Sequence, residues 1–115
     1  MTVQELARQL KLQVLSGPGE GESWDDRDIQ GVFCCDLLSY CMSNAPADYA
    51  WVTVMGNVNA LAVAALTDTA CIVLACSSQL DEQSLAKARQ QKIWVLATPG
   101  PIFETARGID RLLGN

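Results

Sequence analysis

Trp51-Val52-Thr53-Val54-Met55-Gly56-Asn57-Val58-Asn59-Ala60-Leu61-Ala62-Val63-Ala64-Ala65-Leu66 is the stretch that decides the fold class. Up to Met55 it is β-branched and aromatic, the composition of a buried strand. Gly56 permits a tight turn, Asn57 is a good N-cap, and an Ala/Leu/Val run continues as helix. A strand that turns through Gly-Asn into a helix aims free backbone N–H groups above the sheet, a common way to hold an anion. The unit predicts a small α/β domain with a ligand pocket at the strand end.

The same alternation extends to both sides. Thr2-Val3-Gln4-Glu5 is a capping box, with Leu6 and Leu10 on one helical face behind it. A short strand is expected over 12–15. Ser16-Gly17-Pro18-Gly19-Glu20-Gly21 breaks it as a loop, and no Gly-Lys-Ser/Thr follows, so Walker A is absent. A strand over 29–35 leads into a helix over 36–42, for which Asp36 is the expected cap. Beyond the break at 44–48, the pattern predicts strand 50–55, helix 57–66, strand 71–75, helix 82–91, strand 93–97 and helix 101–113. Asp81 is the expected N-cap of one helix and Pro101 the first position of the last. Apolar strands alternating with helices give a mostly parallel sheet with right-handed crossovers.

The chain of 115 residues, half of them hydrophobic, is expected to form one domain, 1–115. A net charge of −5 without a basic cluster disfavours nucleic acid and anionic membranes as partners. The start of the sequence lacks a basic segment followed by an apolar core, and a cytoplasmic location is expected. Five cysteines stand with no histidine and no C-x-x-C, so they read as buried reduced thiols; no metal and no cofactor is expected. Without histidine there is no Ser-His or Cys-His pair.

Between Val58 and Leu66 only Asn59 is polar. A helix apolar all round is buried all round, which predicts a homodimer through Val58, Leu61, Ala64 and Ala65, the alternative being cover by the first helix or the 17–25 loop. Trp51 and Trp94, in strands, read as core. Trp24, in the polar loop, is expected as a pocket lid or interface anchor.

Asp26-Arg27-x-Ile29-x-Gly31, Asp36-Leu37-Leu38-Ser39, Trp51-Val52-Thr53 and Asn59-x-x-Ala62-Val63-Ala64, in this order, resemble the DRTGG domain over nearly the whole chain. The resemblance implies a three-layer α/β/α fold related to the N-terminal domain of the HPr kinase. It also implies a regulatory role, since such domains accompany nucleotide-sensing CBS pairs in some pyrophosphatases and a catalytic domain in some phosphotransacetylases. The eponymous motif maps onto Asp26, Arg27 and Gly31. Read from the residues alone, Asp26 caps backbone N–H groups and Arg27 pairs with a neighbouring acid, or Arg27 contacts an anionic ligand or a partner subunit.

Ligands bind open α/β sheets at the carboxyl ends of strands. Three polar turns fall there, and Gly56, Asn57, Asn59, Ser77, Ser78, Thr98 and Gly100 are the candidate binding residues. No carboxylate pair or nucleophile–base pair lies among them. The expectation is a non-catalytic regulatory or ligand-sensing module for a nucleotide or other phosphate-bearing anion. The alternative is a protein-interaction or dimerisation scaffold without a small-molecule ligand, and a phosphotransferase ranks third.

Overall fold

The computed structural model describes residues 1–114. Its elements in chain order are α1 (Val3–Gln9), β1 (Gln13–Ser16), β2 (Gly31–Cys34), α2 (Leu38–Asn44), β3 (Tyr49–Thr53), α3 (Val58–Thr67), β4 (Cys71–Leu74), α4 (Glu82–Gln90), β5 (Val95–Ala97) and α5 (Ile102–Leu112). The strands form one sheet in the order β1-β5-β4-β3-β2. β2 to β5 run parallel, and β1 runs antiparallel on the β5 edge. The mostly parallel sheet is therefore as expected.

Alternation along the strands separates two cores. Ala50, Val52, Cys71, Val73 and Leu96 face α1 and α5, where Leu6 and Ile109 are fully buried. Trp51, Ile72, Leu74, Val95 and Ala97 face α2, α3 and α4. Both faces of a parallel sheet are thus covered, giving three α/β/α layers. Large side chains such as Trp51 and Ile72, each at most 1% exposed, contribute about 1.5–3 kcal/mol apiece by leaving water.

The caps mostly follow the sequence. Thr2 accepts from Glu5 N at 3.2 Å, Asn57 from Ala60 N at 2.9 Å and Asp81 from Ser84 N at 2.7 Å. Asp36 does not cap α2, which begins two residues later and has no side-chain cap. Its carboxylate instead accepts from the fully buried Thr53 hydroxyl at 2.7 Å and from Val54 N at 3.0 Å. That bond ends β3 at Thr53, short of the expected 55, because the Val54 N–H leaves the ladder. Pro101 takes the cap position rather than the first helical one, with extended backbone (ψ 164°).

Two further expectations are corrected. Trp24 is 8% exposed and packs edge-to-face on Trp94 with ring centroids 5.7 Å apart, so it is core and not a lid. Cys41 and Cys71 are buried thiols, but Cys34 and Cys76 are exposed, since each falls where a strand leaves the sheet. α3 divides its apolar side chains between the chain's own core and its surface. Leu61 and Ala64 are buried within the chain, where α2 and α4 flank the helix, while Ala65 is exposed and Val58 and Leu66 are 42% and 68% exposed. No described helix is long and apolar enough to cross a membrane.

Candidate functional site

The chain leaves β4 toward α4 on one face of the sheet and leaves β5 toward α5 on the other. Diverging exits of this kind open a crevice at the carboxyl ends of a parallel sheet. Here the two exits are also tied together. Cys76 N donates to Gly100 O at 2.8 Å, and Ser77 N to Thr98 O at 3.1 Å. Cys76 and Ser77 both sit in the left-handed region, with φ of 58° and 60°. Two consecutive side-chain-bearing residues there store strain of about 1–2 kcal/mol each, and such strain gathers at functional sites.

Beside this knot lies a groove of about 460 Å³. Ser77, Ser78 and Gln79 form one wall, Thr98 and Pro99 a second, and Lys11 and Gln13 the third. Leu15, Leu80 and Leu85 supply apolar surface. Lys11 is its single charged lining residue; the other polar lining side chains are the hydroxyls of Ser77, Ser78 and Thr98 and the amides of Gln13 and Gln79. Such a wall can donate hydrogen bonds to an anion and neutralise part of its charge. It contains no carboxylate and no imidazole, so it lacks an obvious proton acceptor for acid–base chemistry.

Of the residues singled out in the sequence, Ser77, Ser78 and Thr98 line the groove, whereas Gly56, Asn57, Asn59 and Gly100 do not. Gly100 lies behind the wall, its carbonyl taken by Cys76. Asn57 uses its side chain to cap α3. Gly56 has an ordinary φ, and its need for glycine is one of space. A Cβ there would collide with the Gln79 carbonyl oxygen and lie 3.2 Å from Leu74 Cδ1. Gly56 thus backs the loop that forms the groove wall. Sequence reading missed Lys11, Gln13 and Gln79. Nothing local marks Lys11, which reaches the site only because β1 pairs antiparallel with β5, Gln13 opposite Ala97.

The Asp26–Arg27–Gly31 segment lies elsewhere. Asp26 accepts from Val3 N at 2.8 Å and Gln4 N at 3.3 Å, adding a second cap to α1. Arg27 Nη1 meets Asp48 at 2.9 Å and Asp68 at 2.8 Å, and Nη2 approaches Asp25 at 3.8 Å. The hydrogen bond with Asp68, opposed in part by burial and aided by Asp48, raises the Arg27 pKa above its ordinary value. Asp48 and Asp68 both have left-handed backbones, at φ 65° and 58°, so one guanidinium clamps two turns. Gly31 leaves room for the Tyr49 ring, since a Cβ would come within 2.6 Å of it.

Near β2 and α2, burial, then a hydrogen bond with Cys35, pushes the Cys41 thiol up to about 12. Burial does the same to Cys71, also to about 12. These thiols pack as small hydrophobes. Among the described residues, no three His, Cys, Asp or Glu side chains gather as metal ligands.

No family model and no curated protein matches the sequence. The structure, however, is similar to that of the CBS and DRTGG domains of the regulatory region of Clostridium perfringens pyrophosphatase, complexed with the activator diadenosine tetraphosphate. The TM-score is 0.67 at 10% identity, over 92% of this chain and 44% of that one, so this chain spans less than half the length of that structure's. At this level of likeness, the chain has a DRTGG-like α/β fold.

Proposed function

We propose that this chain is a regulatory, ligand-sensing module of the cytoplasm, a single DRTGG-like domain without catalysis of its own. Its ligand is a phosphate-bearing anion, with a nucleotide as the first candidate. The observation that carries the reading is the groove of about 460 Å³ at the carboxyl ends of β4 and β5, lined by Lys11 together with Ser77, Ser78 and Thr98. Gly56 and Gly100 support the loops behind it, and Asn57 and Asn59 flank it at the next strand exit. The similar pyrophosphatase regulatory region binds a dinucleotide polyphosphate, which makes diadenosine tetraphosphate the first compound to test.

A thermal-shift series with diadenosine tetraphosphate, ATP and tripolyphosphate is the direct experiment. A ligand at 100 times its Kd adds about 2.7 kcal/mol to stability. Lys11→Gln should weaken the response about tenfold, because an ion pair to phosphate in a partly enclosed site carries roughly 1.4 kcal/mol. A response that persists undiminished in Lys11→Gln places the ligand elsewhere. No response to any of the three removes the sensor reading.

A second reading rests on α3, whose exposed Val58, Ala65 and Leu66 make an apolar outer strip. We infer that a second copy covers it, with a homodimer as the working unit. Sedimentation at micromolar concentration should give twice the monomer mass, and Ala65→Glu should halve it. A monomeric wild type would leave the α3 strip without this role.

A further inference from the structure

Two thiols meet where β2 hands over to α2. Cys35 follows the last residue of β2, and Cys41 closes the first turn of α2. Both belong to the core that holds Trp51 and Leu61. The Cys41 thiol donates to Cys35 O at 3.7 Å and is hydrogen-bonded to the Cys35 thiol as well. Cys35 Sγ accepts from Leu37 N at 3.4 Å and donates to Leu37 O at 3.7 Å. One short turn, 35–37, therefore holds both sulfurs.

The neighbouring Cys34 does not share in this contact. Strand alternation places it on the face of Val32, which packs in the opposite core. Access then separates the two thiols of the pair. Cys41 is fully buried and Cys35 is half-buried. A sulfur that a reagent can reach, in contact with one that it cannot, suits a two-step exchange, in which the first takes the oxidant and the second resolves it.

We propose that Cys35 and Cys41 form a reversible redox site, converted by a low-molecular-weight disulfide into a bridge between the end of β2 and α2. Cys35 as thiolate attacks the oxidant, forming a mixed disulfide and expelling one small thiol. Cys41 as thiolate then attacks the Cys35 sulfur, forming the bridge and expelling the second. The two protein thiols give up two protons and two electrons, and the oxidant leaves as two thiols. The closed loop contains Asp36, whose carboxylate holds Thr53 and Val54 N at the end of β3. The site does not depend on the anion groove or on what that groove binds.

The experiment treats the full chain, labelled with ¹⁵N, with excess glutathione disulfide under native conditions. Digestion and mass spectrometry should find Cys35 joined to Cys41, with the bridge reversed by dithiothreitol. Cys35→Ala and Cys41→Ala should each abolish it, and Cys34→Ser should leave its yield unchanged. The Trp51 indole resonance is an internal reporter. Trp51 Nε1 donates at 2.9 Å to the Cys35 carbonyl that also accepts from the Cys41 thiol, so bridging should move the signal and reduction should restore it. Fully buried Cys71 should stay unmodified in the same sample. A bridge through Cys34 or Cys76 overturns the site, as does a glutathione adduct on Cys35 that Cys41 never displaces. A Trp51 signal that stays still overturns it too. Modification of Cys71 in step with the bridge means that oxidation follows unfolding, and it refutes a site belonging to the folded chain.

Discussion

Gly56→Ala is the substitution that best tests how the groove is built. Gly56 does not occupy the left-handed region, so alanine meets no backbone penalty. Its Cβ would overlap the Gln79 carbonyl oxygen, lie 3.0 Å from the Gln79 carbonyl carbon and 3.2 Å from Leu74 Cδ1. Backbone cannot swing away as a side-chain tip does, so overpacking of about 1–3 kcal/mol is expected. The loss of a flexible glycine from the unfolded chain returns about 0.4–1 kcal/mol. The net is a destabilisation of about 1–2 kcal/mol. With an unfolding entropy of about 2.1 cal/mol/K per residue over 115 residues, that lowers Tm by roughly 4–8 °C. Thermal melts followed by circular dichroism measure it, with Gly108→Ala as the control. In α5 the new methyl at 108 would find only Leu10 methyls at 3.8 Å, and the helix should gain about 0.5–1 kcal/mol. Because Gln79 lines the groove, Gly56→Ala should also weaken any ligand held there. A Gly56→Ala protein as stable as wild type would refute the close approach of the two loops.

Asp36→Ala should cost about 2–3 kcal/mol in urea unfolding, because the buried Thr53 hydroxyl and Val54 N–H lose a charged acceptor together. Arg27→Met leaves Asp25, Asp48 and Asp68 facing one another; the half-exposed cluster should cost no more than about 1 kcal/mol, less at high salt. Under native conditions a thiol reagent should label exposed Cys76 early and Cys71 only on unfolding, as mass spectrometry of the digested protein would read. Hydrogen bonds from Ser84 foremost hold the Asp81 carboxyl below its ordinary pKa. Its contribution is therefore complete above that value and lost as pH falls through the folded pKa, and Asp81→Asn should flatten this part of the acid unfolding curve.

Much of the architecture was legible because its signals are local. The caps Thr2, Asn57 and Asp81, the apolar runs of β3 and β4 and the alternation of strand with helix all act within a few residues of where they appear. They determined element types, their order and a mostly parallel sheet. Polar side chains whose partners lie far along the chain were not legible. Asp36 looks like a cap in the sequence, yet it serves Thr53, seventeen positions on. Trp24 sits among polar residues but closes the core on Trp94. The candidate site divides in the same way. Ser77, Ser78 and Thr98 could be found because turns after strands mark the carboxyl edge of a parallel sheet. Only the tertiary structure decided that Lys11 joins them and that Gly56 stands behind the wall. The first depends on β1 reversing against β5 and the second on a backbone–backbone approach between two loops; neither leaves a trace in nearest-neighbour pattern.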